Sequence, residues 1–120
     1  MGLIRIPVTI RVPGTTDATY EAAFLVDTGA TDSVAPASEL RRIGIKPVGV
    51  KTYELADGGE VEYEFGLAQI EFMDEITAGR IVFGSETATP ILGATQLESA
   101  GIWIDPVTHA LRRLHAIPLK

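Results

Sequence analysis

Residues 25 to 31 read Leu25-Val26-Asp27-Thr28-Gly29-Ala30-Thr31, an apolar strand end that runs directly into a carboxylate, a hydroxyl and a glycine. Taken alone, this is turn chemistry: Asp caps a turn through its side chain, and Gly supplies conformations closed to other residues. What surrounds it is β-structure. Upstream, Ile4, Ile6, Val8, Ile10 and Val12 alternate with Arg5, Thr9 and Arg11, the period of two that marks a strand. Pro13-Gly14-Thr15-Thr16-Asp17 turns the chain, and Thr19 to Val26 resumes the strand pattern, so the first two strands are expected to form a hairpin.

Downstream, Thr52 to Leu55 and Glu60 to Phe65 alternate on either side of Asp57-Gly58-Gly59, a strong short-range hairpin signal because Gly tolerates positive φ. Further strands are expected at Leu67 to Phe72 and Ile76 to Phe83, turning at Met73-Asp74-Glu75, and a short one at Thr89 to Leu92. Gly93 and Gly101 bracket a short helix in the C-terminal half. Pro36 to Gly44 has room for about two helical turns. Ile102 to Asp105 and Ala110 to Leu119 read as a closing hairpin, with Trp103 a core residue. Short strands at this spacing with little helix predict an all-β barrel or sandwich.

The chain has 120 residues, room for one domain spanning 1–120, and with 46% hydrophobic residues it can bury a core, which argues against disorder. Ten Lys and Arg against sixteen Asp and Glu give a formal net charge of −6, which repels phosphate and excludes nucleic acid or an anionic membrane as main partner. No cysteine is present, so disulfides, thiolate metal sites and cysteine nucleophiles are excluded, and a cytoplasmic location is the default expectation. Met1-Gly2-Leu3-Ile4-Arg5 lacks the pattern of a signal peptide, and Ile6 breaks a myristoylation motif at Gly2. His109 and His115 have no acidic or cysteine cluster at ligand spacing, so neither metal nor cofactor is expected.

A second apolar pair, Ile91-Leu92, also runs into a glycine, Gly93, and then into the short helix. Together with Leu25-Val26-Asp27-Thr28-Gly29-Ala30 and the hairpin tipped by Asp57-Gly58-Gly59, this order of elements resembles the retropepsin-like (retroviral-type) aspartic proteases. The resemblance implies a closed-barrel acid-protease fold with one short helix in the C-terminal half and a flap hairpin. It implies a homodimeric aspartic endopeptidase, because the chain has a single Asp-Thr-Gly and the second glycine loop carries no acid. Hydrolysis by activated water requires a base and an acid, which two close carboxylates sharing one proton supply. Asp27 from each of two subunits would then face across a two-fold axis.

By the same resemblance Asp27, Thr28 and Gly29 form the catalytic set, with Thr28 bonding across the axis and Gly29 admitting substrate backbone. Ala30, Val34 and Ile91 would line the substrate pocket, and Asp57, Gly58 and Gly59 would cover a bound peptide or protein substrate. Many retroviral enzymes carry Asp after the Ala and Arg after the second Gly; here Thr31 and Ala94 stand there, as in the cellular bacterial and archaeal type. Asp32 is placed to take over part of that anchoring and is otherwise read as a solvated surface carboxylate. Glu54, Asp57, Glu60, Glu62 and Glu64 give the hairpin an acidic face, read as solvated, with a preference for basic peptides as the functional alternative. The alternative to catalysis is a non-catalytic peptide-binding or dimerisation module on the same scaffold.

Overall fold

Six of the first seven strands close into a ring because the longest of them pairs with neighbours along both its edges. In a computed structural model that describes residues 3–120, the elements are β1 (Arg5–Arg11), β2 (Tyr20–Val26), β3 (Ser33–Pro36), α1 (Ala37–Arg42), β4 (Gly49–Glu54), β5 (Glu60–Phe72), β6 (Glu75–Gly84), β7 (Ile91–Leu92), α2 (Ala94–Ala100), β8 (Ile102–Ile104) and β9 (Leu111–Arg113). Met1 and Gly2, on which the readings of the chain's start depend in part, lie outside the described residues.

β5 pairs with β4 through its first half, Glu60 to Phe65, and with β1 through Gln69 to Glu71, while β6 runs along its other edge from Phe65 to Phe72. The ladders therefore form a ring, β1–β2–β7–β3–β6–β5 and back to β1, with β4 outside it. This is the mostly β architecture expected, ring-like in form. One correction applies: Leu67 to Phe72 is not a separate strand, since β5 passes unbroken through Gly66. The helical turns read at Pro36 to Gly44 form as α1, which buries Leu40 and ends ahead of Gly44, whose φ is +96°.

The alternating positions do what their polarity requires. Val8, Ile10, Phe24, Val26, Ala68, Ile70, Phe72, Ile81 and Phe83 turn inward and meet Leu40, Leu92, Leu97 and Ala100 from the helices and β7. Each large side chain so buried contributes about 2 kcal/mol. Pro7 sits in β1 opposite Ala23, at a position where β1 has only β2 beside it, so the missing N–H costs no ladder bond on the other edge.

At the C-terminus the expected hairpin is shorter than its sequence pattern: β9 ends at Arg113, and 114–120 form no strand. Trp103 is corrected as well. It is 42% exposed on β8 rather than in the core, because the two-stranded β8–β9 sheet has one face turned outward. Among the described residues no helix is long and apolar enough to cross a membrane.

Candidate active site

The two apolar-glycine segments meet side by side in the ring. β7 lies between β2 and β3, parallel to the first and antiparallel to the second, with Leu25 opposite Ile91, Val26 opposite Leu92, and Val34 also opposite Ile91. Asp27 follows β2 directly. Its backbone N–H donates to the Leu92 carbonyl at 3.0 Å, which extends the ladder by one residue and holds the carboxylate at the strand's end. The Gly29 N–H donates to Asp27 Oδ1 at 2.9 Å, and the Ala30 N–H to the Asp27 carbonyl at 3.2 Å, closing the turn.

The second loop supports the first. Gly93 N–H donates to Ser33 Oγ at 2.9 Å, Ala94 N–H to the Ala30 carbonyl at 2.7 Å, and Thr95 N–H to the Thr31 carbonyl at 3.2 Å. A Cβ on Gly93 would stand 2.7 Å from both the carbonyl carbon and oxygen of Asp32. Glycine is required here by close approach of two backbones rather than by its torsions. Ser33 Oγ in turn donates to Gln96 Oε1 at 2.6 Å, and the buried Gln96 Nε2 has no hydrogen-bond partner among the described residues.

In front of Asp27 opens a cleft of about 960 Å³ lined by Gly29, Ala30, Thr31, Val34, Val82 and Ile91 on the ring side and by Lys51 to Ala56 and Tyr63 on the hairpin side. Of the predicted substrate-contacting residues, the structure brings Ala30, Asp32, Val34 and Ile91 to this cleft with Asp27 and Gly29. Val34 and Ile91 are half-buried there, whereas Leu92 is fully buried in the core. Thr28 is exposed and does not line the cleft. Asp57, Gly58 and Gly59 also stand outside the lining: they form the β4–β5 tip, with Gly58 at φ +87° and the Gly59 N–H donating to Asp57 Oδ1 at 2.8 Å. Of the five hairpin acids only Glu54 lines the cleft, and Glu60, Glu62 and Glu64 are exposed on the hairpin.

Asp32 is not a solvated surface carboxylate. It is 4% exposed, takes a hydrogen bond from the Tyr53 hydroxyl on Oδ2 at 2.7 Å, and faces Arg80 Nε at 3.1 Å. Burial, reinforced by the hydrogen bond to Asp32 and its negative charge, pushes the Tyr53 phenol up to about 12; Arg80 acts in the opposite direction. Tyr53 and Arg80 carried no sequence signal that singled them out. Arg80 lies in the apolar-rich run of β6, and only the parallel pairing of β3 with β6, Ser33 opposite Ile81, puts it beside Asp32. Among the described residues no group of three or more His, Cys, Asp or Glu side chains is placed to hold a metal ion.

The sequence matches a family model described as aspartyl protease over residues 8–95, a span that contains Asp27, the hairpin and Gly93. Among curated proteins none matches the chain. Solved structures similar to it include the simian foamy virus (mac) protease, with a TM-score of 0.51 and 15% identity, covering 76% of this chain and 90% of that one. The retroviral protease-like domain of Ddi1 from Leishmania major has a TM-score of 0.57 and 17% identity, covering 97% of this chain and 91% of that one. The EIAV protease complexed with the inhibitor HBY-793 has a TM-score of 0.54 and 22% identity, covering 83% and 89%. At such identities the likeness is one of fold.

Proposed function

The chain belongs to the aspartyl protease family of retropepsin-like fold, and on that premise we propose that two copies form a homodimeric aspartic endopeptidase acting through a pair of Asp27 carboxylates. The observation that carries this reading is the make-up of the cleft: Asp27 stands at the end of β2, the other acid of its loop, Asp32, is held by Tyr53 and Arg80, and the partner loop Ile91-Leu92-Gly93 supplies only backbone. Peptide hydrolysis needs a second group, which a second copy provides. One Asp27 takes a proton from water as its oxygen adds to the carbonyl carbon, and the protonated Asp27 of the second copy gives its proton to the carbonyl oxygen. The C–N bond then breaks as the amine takes the proton from the first Asp27 and a hydroxyl of the tetrahedral intermediate returns its proton to the second, so the dyad again holds one.

Thr28, exposed in the single chain, would bond across the two-fold axis, and the β4–β5 hairpin would act as a flap, its Asp57-Gly58-Gly59 tip reaching over the peptide to exclude water. The apolar wall of Ala30, Val34, Val82 and Ile91 suits apolar side chains at the scissile bond. No cofactor enters the chemistry. Residues 1–120 act as one domain, and the cysteine-free composition suits a reducing, cytoplasmic setting.

Asp27→Asn should abolish cleavage of a peptide library while the protein still sediments as a dimer; undiminished cleavage overturns the reading. Thr31 and Ala94, where many retroviral enzymes carry Asp and Arg, favour a second reading, a non-catalytic peptide-binding or dimerisation module. A wild-type chain that binds peptides, cleaves none, and stays monomeric with them would establish a binding module instead.

A further inference from the structure

Beside the loop that carries Asp27, the cleft is lined by an ion pair whose two halves are unequally exposed. The Asp32 side chain is 3% exposed and that of Arg80 36%, so the charge presented to anything in the cleft is the guanidinium. Asp32 Oδ2 is occupied twice, by the Tyr53 hydroxyl at 2.7 Å and by Arg80 Nε at 3.1 Å. A guanidinium has five N–H donors in a rigid fork, and Asp32 engages one edge of it. The Phe65 ring lies 5.6 Å from Arg80 Cζ and backs the fork, so its orientation is set before any ligand arrives.

We infer that Arg80 is a specificity-determining residue that receives an acidic side chain of the bound peptide, an inference that rests on the peptide-cleaving function proposed above. A basic side chain would have to reach Asp32 by displacing Arg80, which separates a buried carboxylate from its counter-charge and is strongly unfavourable. An acidic side chain needs no rearrangement: it takes the remaining N–H groups of the fork, a charge-assisted pairing of the kind Arg makes with carboxylates. The other charged groups lining the cleft do not reverse this. Asp27 belongs to the chemistry, and Lys51 and Glu54 are exposed hairpin side chains of opposite sign. The hairpin acids Glu60, Glu62 and Glu64, read from sequence as a solvated face with basic peptides as the alternative, stand outside the cleft lining.

The test uses a positional series of fluorescent peptides carrying Glu, Gln or Lys at each position. Binding is measured by anisotropy to Asp27→Asn protein, and cleavage is measured with the wild type. At one position Glu should exceed Gln by about tenfold, the size expected of a half-exposed charged contact, with Lys weakest. Arg80→Met should bring the ratio of Glu to Gln close to unity. Asp32→Asn, which keeps a polar partner for Tyr53 but strips Arg80 of its counter-charge, should raise the ratio severalfold, and it decides the question alone if Arg80→Met does not fold.

No position at which Glu exceeds Gln, a preference for Lys, a preference that survives Arg80→Met, or a ratio that falls or stays unchanged in Asp32→Asn each overturns the inference. Absence of cleavage with every peptide overturns the enzymatic reading instead, and leaves the binding preference to be read on its own.

Discussion

Gly93→Ala isolates the contact between the two loops, because nothing but space demands glycine there. Its φ of −89° is open to any residue. An added Cβ, however, would lie 2.7 Å from the Asp32 carbonyl carbon and oxygen and 3.0 Å from the Ala30 carbonyl oxygen, all backbone atoms that cannot swing aside. Forcing a methyl group into such a contact costs about 1–3 kcal/mol. The shift also strains the three hydrogen bonds from the 93–95 N–H groups, the loss of one or two of which costs about 1 kcal/mol each. Reduced freedom of the unfolded chain returns about 0.5 kcal/mol. The expected net loss is about 3 kcal/mol, a fall in Tm of roughly 10 °C for a chain of this size.

The control is Gly58→Ala, at φ +87° with nothing within 4 Å of the new Cβ, where backbone strain alone applies and about 1 kcal/mol is expected. Urea unfolding at one fixed protein concentration, with the slope compared as well as the midpoint, measures both. A Gly93→Ala protein within about 0.5 kcal/mol of wild type, less than the overpacking cost alone, or one more stable than Gly58→Ala, would refute the argument that the loops are in van der Waals contact.

The Tyr53 phenol, held up to about 12 by burial and by Asp32, gives a second test. Because the folded form keeps a proton that the unfolded chain releases near 10, this contribution is present below pH 10 and lost as pH rises towards 12. Absorbance titration should show a late tyrosinate transition that Tyr53→Phe removes and Asp32→Asn moves to lower pH; a titration unaltered by either contradicts the pairing. The Glu71 carboxyl behaves in the opposite sense. Burial raises it, but hydrogen bonds from Arg11 and Gln69 outweigh that and hold it low, so its contribution is present above its ordinary value of 4.5 and lost as pH falls. Arg11→Met should cost about 1 kcal/mol at neutral pH and flatten the loss of stability on acidification; an unchanged acid limb argues against the ion pair. If a dyad with one shared proton does the chemistry, peptide cleavage should peak at acidic to mildly acidic pH, and a flat profile into the alkaline range would count against it.

Strand alternation was legible wherever one face is buried, which is why β1, β2, the hairpin and β6 fall close to their sequence patterns. The failures share a cause: they depend on which strand lies beside which. β5 continues through Gly66 because β6 pairs across it on one edge, Gly66 opposite Ile81, a fact no local pattern contains. Trp103 is apolar and on a strand, yet its two-stranded sheet leaves it a face to solvent. At the site, the Asp-Thr-Gly turn and the Ile91-Leu92-Gly93 segment are local signatures and could be read directly. Asp32, Tyr53 and Arg80 come from three separate segments and meet only through the β3–β6 pairing and the fold of the hairpin over the cleft. A charged residue one position from a turn reads as solvated until its partners are known.

The account turns on each active site being made of two Asp27 carboxylates from different chains, and subunit mixing tests that directly. Wild-type chains are refolded with increasing proportions of Asp27→Asn chains at constant total concentration, and peptide cleavage is followed. If both carboxylates are needed, only dimers of two wild-type chains are active, and an equal mixture retains about one quarter of the activity, the square of the wild-type fraction. A linear fall, with about one half retained at the equal mixture, would mean that each chain carries a complete site and would contradict the account.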